Sequence, residues 1–186
     1  MTTLDGRPYS ALLVLDAQRR PLEGTYNRDA VIATIAALVS RARREDVPVV
    51  WVKHFDEEMP QGSEGWQHVP ELVPEPTEPL VHKSYPDAFE DSDLETILSE
   101  RRVGRVILAG AQTDMCIRGT LHGAFTRGYD VTLVEDAHTT EDLRPWGVPV
   151  SPEQVVRHTN TYWTWAAAPG RTGAVVPAAE IDFGTG

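Results

Sequence analysis

The sequence predicts an α/β domain of three layers, in which helices cover both faces of a doubly wound, mainly parallel sheet of six strands. Two observations lead to this prediction: short apolar runs rich in Val, Ile and Leu, and helical patterns that alternate with them. Most runs lack polar–apolar alternation, which is typical of strands covered on both faces. At 186 residues the chain fits one domain, assigned to residues 1–186.

Six segments are predicted to be strands. Five are strongly apolar, and the sixth, Leu80–His82, is weaker. The five stronger segments are Ala11–Leu15, Val49–Val52, Arg105–Ala109, Val131–Val134 and Ala174–Val176. In sheets of this kind the active site lies beyond the carboxyl ends of the strands, near the point where the strand order reverses. Functional residues are therefore expected directly after the strands.

Helices are predicted from caps and apolar spacing between the strands. Asn27 is placed to cap the first helix, and Ser92–Glu95 and Ser151–Gln154 have the pattern of capping boxes. A further helix is expected from about Met115 to Arg127 and should end at Gly128 in the left-handed conformation. The long stretch from residue 56 to residue 79, rich in Pro and Glu, is predicted to be a lid or a loop that faces the substrate.

Composition and charge exclude several classes of function. The net charge of −11 would repel nucleic-acid phosphates, although it can attract cationic substrates. No apolar run approaches the length of a membrane span, and the first ten residues lack the basic and apolar parts of a signal peptide. We therefore expect a cytoplasmic protein that binds neither nucleic acid nor membranes.

Three residues with chemical potential follow predicted strands: Asp16, Lys83 and Cys116. Asp16 fits either a functional carboxylate or a cap of the next loop, and Lys83 fits either a solvated loop lysine or the partner of a buried anion. Cys116, the only cysteine, follows a Gly-containing turn and lies in the first turn of a predicted helix. Such a position is expected to lower the pKa of a thiol and to offer backbone N–H groups to an oxyanion.

Two other interpretations of these residues remain open. A lone cysteine is often a small buried apolar residue, and a histidine could serve as its base. None of the six histidines has a position that distinguishes it, whereas Asp16 should meet Cys116 where two strands lie side by side. A phosphate-accepting receiver domain also uses Asp and Lys, but it needs an early acidic cluster where only Asp5 and Asp16 occur.

The motifs Leu15–Gln18, Lys83–Phe89 and Gly110–Ile117 resemble, in order and spacing, those of isochorismatase-like cysteine hydrolases. The resemblance covers about residues 10–165. It implies that Cys116 is the nucleophile, that Asp16 accepts and returns its proton, and that Lys83 holds Asp16 and stabilises the thiolate. It also implies a cis peptide bond between Ala111 and Gln112, with the N–H groups of Gln112 and Cys116 as oxyanion donors, and no cofactor.

The same resemblance narrows the substrate to a small-molecule amide or lactam. Nicotinamidases of the family carry an Asp-x-His metal motif that is absent at Val52–His54, and His54 with His68 is too few ligands, so no metal is expected. Members acting on isochorismate lack the cysteine. The stretch Glu57–Gln67 looks most similar to streptothricin hydrolases, which open a lactam in a cationic antibiotic.

Four residues are predicted to contact the substrate: Gln18, Glu57, Trp66 and Tyr85. In this hypothesis Glu57 belongs to an acidic loop and Trp66 forms an apolar or cation–π wall for a positive ligand. Another amidase of the family, nicotinamidase-like or acting on a carbamoyl amide, is the alternative, as is a catalytically idle module that keeps the fold. The resemblance also makes a homo-oligomer plausible.

Overall fold

The structure, a computed structural model, describes residues 2–184 as a mixed α/β domain built on one sheet. The strands are β1 (Tyr9–Leu15), β2 (Val49–His54), β3 (Leu80–Lys83), β4 (Val103–Ala111), β5 (Asp130–Thr139), β6 (Ala167–Ala168) and β7 (Arg171–Val176). The helices are α1 (Arg19–Leu22), α2 (Arg28–Arg44), α3 (Leu94–Glu100), α4 (Arg118–Arg127) and α5 (Pro152–Trp163). The α/β prediction is therefore confirmed.

The sheet has seven strands in the order β3-β2-β1-β4-β5-β7-β6, one more than predicted. The additional strand, β6, has two residues and pairs antiparallel with β7, while all other pairs are parallel. A segment that short cannot produce an apolar run, so the pattern of the sequence does not reveal it. The prediction of a mainly parallel sheet is confirmed, and that of six strands is wrong.

Strand β1 shows how the three layers form. Leu12 and Val14 are buried against the helix α2 side, whereas Leu13 and Leu15 are buried against the side of α3, α4 and α5. Successive side chains of a strand point to opposite faces, so a strand covered on both faces must be apolar throughout. This burial explains why the strand lacks polar alternation.

The order of the strands reverses between β1 and β4. From β1 the chain proceeds through β2 and β3 to one edge, and then returns to place β4 on the other side of β1. Leu15, the last residue of β1, is in register with Val52 of β2 and Gly110 of β4. The ends of these three strands therefore meet at one place on the sheet, which is where a doubly wound domain holds its active site.

The helix ends agree only in part with the predicted caps. Ser151 and Gln154 form the expected capping box, and Gly128 ends α4 with φ +106°. Asn27 does precede α2, but its side chain makes no capping hydrogen bond, and α3 begins after Asp93 rather than through a box at Ser92. The Ser92 hydroxyl instead donates to the Ala88 carbonyl and accepts from the Leu94 N–H, so it takes part in a local turn before α3.

The stretch from residue 56 to residue 79 contains no helix or strand but packs against the domain. Met59, Val69 and Leu72 are buried in it, and the Val69 N–H donates to the Ala17 carbonyl at 3.1 Å. Among the described residues, no helix is both long and apolar enough to cross a membrane.

Candidate active site

Asp16 lies directly after β1 and adopts a backbone conformation that is unusual for a residue with a side chain. Its φ is +49°, in the left-handed region, and its N–H donates to the Val52 carbonyl at 2.9 Å. The residue is only 2% exposed. Such a conformation costs free energy and persists where the surrounding structure enforces it, often at functional sites. The end of β1 thus directs a carboxylate towards the neighbouring strand ends.

Lys83, the last residue of β3, is buried beside Asp16. Its Nζ donates to Asp16 Oδ2 at 2.9 Å and to Cys116 Sγ at 3.0 Å, and lies 3.4 Å from His54 Nδ1. An ammonium has three hydrogens and no acceptor, so these three neighbours match its donors in number. The lysine is a buried member of an ion pair rather than a solvated loop residue.

Cys116 is carried by a π-helical turn, Thr113–Ile117, that precedes α4. The helix predicted from Met115 therefore begins differently: the first turn is wider than an α-turn, and α4 starts at Arg118. Such π-turns occur frequently at functional sites. The peptide bond between Ala111 and Gln112 is cis, as the resemblance implied. Cys116 is 9% exposed and packs at the edge of the core, where it lines a cavity.

Gly110 allows β4 to bring this turn close to β1. Its φ is +126°, and a Cβ atom at this position would lie 1.9 Å from the Leu15 carbonyl oxygen. No side chain fits at that distance, so only glycine permits the two strand ends to meet here. Asp16 follows Leu15 directly, and the close approach therefore brings the carboxylate and the cysteine turn together.

The charges around the sulfur give a result that differs from the prediction. Burial and the charge of Asp16 raise the pKa of the Cys116 thiol to about 12, although Lys83 acts in the opposite direction. Burial alone would lower the pKa of Lys83, but the charges of Asp16 and Cys116 raise it overall. The expected low thiol pKa is therefore wrong: in the resting site a thiol lies beside an ammonium–carboxylate pair.

The sulfur faces a cavity of about 390 Å³ that opens to solvent. Asp16, Gln112 and Cys116 lie on its wall together with His54 and Asp56. The second oxygen of the Asp16 carboxylate, Oδ1, has no hydrogen-bond partner within the described part of the chain. The site thus presents an unpaired acceptor, a thiol and a cavity of small-molecule size.

The four predicted substrate contacts are not among the described residues that line this cavity. Gln18 is fully buried, and its side chain binds the backbone of His54 and Trp66. Trp66 covers the buried Lys53, whose ammonium lies 3.0 Å from the centre of the indole ring. Glu57 is exposed on the loop and Tyr85 is 53% exposed. Gln18 and Trp66 hold the loop in place, a role that their sequence positions do not indicate.

His54 is the residue that the sequence analysis missed at the site. It ends β2, and its ring lies between Lys83 and Asp56, whose Oδ2 is 3.2 Å from His54 Nε2. The rule that selected Asp16 and Lys83, a polar residue at the end of a strand, would have selected it as well. In the part of the chain that the structure describes, no group of three or more His, Cys, Asp or Glu side chains could hold a metal ion.

A buried polar chain supports the cysteine turn from beneath. Thr113 Oγ1 lies 2.9 Å from His138 Nδ1, and His138 Nε2 lies 2.8 Å from Asn160 Oδ1. Asn160 Nδ2 donates to the Glu135 carbonyl, so its oxygen must accept from His138, whose Nδ1 then accepts from Thr113. Burial lowers the pKa of His138 to about 4, which keeps the ring neutral and the chain intact.

Comparison with known proteins identifies the family of this chain. The isochorismatase domain family matches residues 10–146, a range that contains Asp16, Lys83 and Cys116. The chain belongs to the isochorismatase family.

Two isochorismatase-family relatives and one solved structure illustrate the relationship. Streptothricin hydrolase of Streptomyces noursei is 34% identical over 145 residues, covering 74% of this chain and 57% of the relative. The chain therefore spans little more than half of that protein. A secreted isochorismatase effector of Verticillium dahliae is 31% identical, covering 72% of this chain and 74% of the relative. The crystal structure of a cysteine hydrolase from Pseudomonas syringae pv. phaseolicola superposes with a TM-score of 0.85 at 22% identity, covering 92% of this chain and 90% of that one; it supports the fold alone.

Proposed function

We propose that this isochorismatase-family protein hydrolyses a carbon–nitrogen bond, an amide or lactam, in a small molecule through a thioester on Cys116. One observation carries the proposal: Asp16 Oδ2 and Cys116 Sγ each lie within 3.0 Å of the same nitrogen, Lys83 Nζ, beside a cavity. A nucleophile, a proton acceptor and a fixed positive charge are the groups that covalent hydrolysis of an amide requires.

The first half of the reaction forms the thioester. The Cys116 sulfur attacks the carbonyl carbon while its proton passes to Asp16, whose Oδ1 has no other described partner. Proton transfer in concert with attack suits a thiol whose pKa is raised, because little free thiolate exists beforehand. The tetrahedral intermediate then collapses: its C–N bond breaks, Asp16 returns the proton to the departing nitrogen, and an amine is released.

The second half consumes one water molecule. Asp16 accepts a proton from the water as the water oxygen attacks the thioester carbon; the C–S bond then breaks, Asp16 passes this proton to the departing Cys116 sulfur, and a carboxylic acid is released. Lys83 remains charged throughout and stabilises the sulfur as it gains negative charge. In the same proposal the N–H groups of Gln112 and Cys116 stabilise the oxyanion, and no cofactor or metal takes part.

A cationic substrate, such as the streptothricin lactam, is the finer part of the proposal. Besides Asp16, whose charge is paired with Lys83, three carboxylates line the cavity, those of Glu23, Asp56 and Glu141. Arg20, the one arginine among the lining residues that the structure describes, is paired with Glu58 at 2.8 Å. The potential at the cavity mouth is therefore negative, which favours a positive ligand. In this proposal the carboxylates that attract the ligand are those on the cavity wall. Of these, only Asp56 belongs to the loop that was predicted to bind the substrate.

The substrate can be tested with a panel of amides and lactams that includes streptothricin, neutral amides, nicotinamide and a carbamoyl amide. We expect preference for the cationic lactam, weakened by salt and by Glu23→Gln or Glu141→Gln but not by the matched variant Glu57→Gln. Equal turnover of neutral and cationic compounds, unaffected by these variants, would leave another amidase of the family as the function.

The reaction class is tested separately from the substrate. Cys116→Ala should abolish release of amine or ammonia from every compound of the panel while leaving thermal unfolding nearly unchanged. A covalent adduct of substrate mass on Cys116, trapped by rapid acid quench, should disappear in the same variant. Absence of turnover of every compound, together with absence of the trapped adduct on Cys116, would instead indicate a catalytically idle module.

Location and assembly complete the proposal. We expect the protein to work in the cytoplasm, where a free thiol such as that of Cys116 stays reduced. We also expect a homo-oligomer, which size-exclusion chromatography with light scattering would detect.

A further inference from the structure

We infer that His54 is a positioning residue, which holds the Lys83 ammonium in place through its Nδ1 atom in a tautomer set by Asp56. The inference rests on the proposed function, because it assigns a task within the same site. His54 differs from the three residues already assigned in that it contacts neither the Asp16 carboxylate nor the sulfur directly, but acts through the lysine.

The hydrogen-bond geometry determines which atoms of His54 carry protons. Lys83 has only donors, so His54 Nδ1, 3.4 Å away, must present a lone pair to it. The proton of the neutral ring is then on Nε2, which faces Asp56 Oδ2 at 3.2 Å. Asp56 is an acceptor, so the two ends of the ring require the same tautomer. The carboxylate therefore selects the form of the histidine that can accept from the lysine.

Hydrogen bonds to other parts of the fold hold both His54 and Asp56 in place. The His54 N–H donates to Gln18 Oε1 at 2.8 Å, and Gln18 Nε2 donates to the His54 carbonyl at 2.9 Å. Gln18 is fully buried, so the histidine backbone is clamped from both sides. Asp56 Oδ1 accepts from the Met59 N–H at 2.7 Å, which fixes the carboxylate and leaves Oδ2 for the ring. The ring is thus oriented before any substrate arrives.

The consequence concerns the reactivity of Cys116. A buried ammonium without its third acceptor would turn towards cavity water, and its bonds to Asp16 and Cys116 would loosen. Because Lys83 stabilises the sulfur as negative charge develops, a displaced lysine lowers the reactivity of the thiol. Loss of one hydrogen bond to a charged group corresponds to about a tenfold change in an equilibrium.

Two substitutions at His54 separate the roles of its ring atoms. Asn places an oxygen close to the position of Nδ1 and can still accept from Lys83, whereas Gln reaches the position of Nε2 and leaves the lysine without its acceptor. We expect His54→Gln to slow alkylation of Cys116 by iodoacetamide about tenfold, and His54→Asn to stay within about threefold of the unmodified protein. His158→Gln, at an exposed position on α5, is the control and should have no effect.

Asp56→Asn provides a second test that leaves the histidine in place. The Met59 N–H and His54 Nε2 face different oxygens of Asp56, and the backbone N–H can only donate, so the Asn oxygen should face Met59 and its NH₂ group the ring. Nε2 then becomes the acceptor and the Nδ1 proton points at the Lys83 ammonium. We therefore expect slower alkylation, and this variant carries the test if His54→Gln does not fold.

The outcomes distinguish this inference from the proposed function. Alkylation should be followed by mass spectrometry on variants with matched thermal midpoints, together with kcat and KM for one amide that the protein turns over. The inference predicts lower kcat with little change in KM for His54→Gln, and rescue by His54→Asn. Equal rates in His54→Gln and the unmodified protein, or equal impairment by Gln and Asn, would overturn it while leaving the cysteine mechanism standing. Absence of both amide turnover and an acid-trapped adduct on Cys116 in the unmodified protein would overturn the proposed function instead.

Discussion

Removal of the Lys83 charge tests the centre of the site through the stability of the fold. The lysine side chain is 0% exposed and that of Asp16 is 2% exposed. In Lys83→Met the carboxylate stays buried, and Oδ2 loses its 2.9 Å bond while Oδ1 already lacks a partner. Removing one member of a buried ion pair costs about 3–5 kcal/mol, because the remaining charge is uncompensated. We expect a loss of this size in the free energy of unfolding.

The design is a double-mutant cycle measured by urea unfolding at neutral pH. Asp16→Asn should cost less than Lys83→Met, since Lys83 keeps Cys116 and His54 as acceptors, whereas Lys83→Met leaves a buried carboxylate without its cation. The double variant should be more stable than Lys83→Met alone, because no unpaired charge remains buried. A cost below about 1 kcal/mol for Lys83→Met would refute the reasoning, since exposed pairs contribute that little. Strictly additive costs in the double variant would refute it as well.

Four further outcomes follow from the same coordinates. Asp16→Asn should lower kcat by about 10²–10⁴, the usual contribution of acid–base catalysis, in an assay for released amine. The rate of Cys116 alkylation should rise about tenfold per pH unit from about pH 7 to pH 10, because the pKa of the thiol is about 12; a plateau near neutrality would contradict this. The pKa of His138 is lowered to about 4 in the folded protein, so the unfolded chain binds the extra proton first as pH falls. The contribution of His138 to stability is complete above about pH 6.5 and should decline by about 3 kcal/mol towards pH 4. Acid unfolding of His138→Gln should show a smaller decline over the same range. Gly110→Ala should destabilise by more than about 3 kcal/mol and impair alkylation, because its Cβ would meet the Leu15 carbonyl.

The predictable part of the fold is the part that depends on local pattern. The short apolar runs predicted as strands lie within β1, β2, β4 and β5, although each strand extends beyond its predicted bounds. The capping box at Ser151 and the left-handed Gly128 were also predicted, since each depends on residues adjacent in the chain. The short strand β6 was missed because two residues cannot form an apolar run, and the π-turn at Thr113–Ile117 was missed because its residues were assigned in part to an ordinary α-helix.

In the candidate site, too, some residues could be predicted from local sequence and others could not. Asp16, Lys83 and Cys116 could be selected because each follows a strand, and parallel strands end at one edge of the sheet. Their proposed roles remain for experiment. The four substrate contacts could not be placed reliably, since the path of the loop between β2 and β3 depends on pairings such as Gln18 with Trp66. The acidic groups Glu23 and Glu141 come from separate segments that only the folded chain brings to one cavity.

By itself the sequence determined the layered α/β architecture, the family and which polar residues stand at the strand ends, because apolar periodicity and short motifs are properties of neighbouring residues. Only the tertiary structure decided how those residues interact: that burial raises the pKa of the Cys116 thiol rather than lowering it, and that His54 completes the hydrogen bonds of Lys83. Desolvation and hydrogen bonding depend on distances between distant segments, and folding alone establishes those distances.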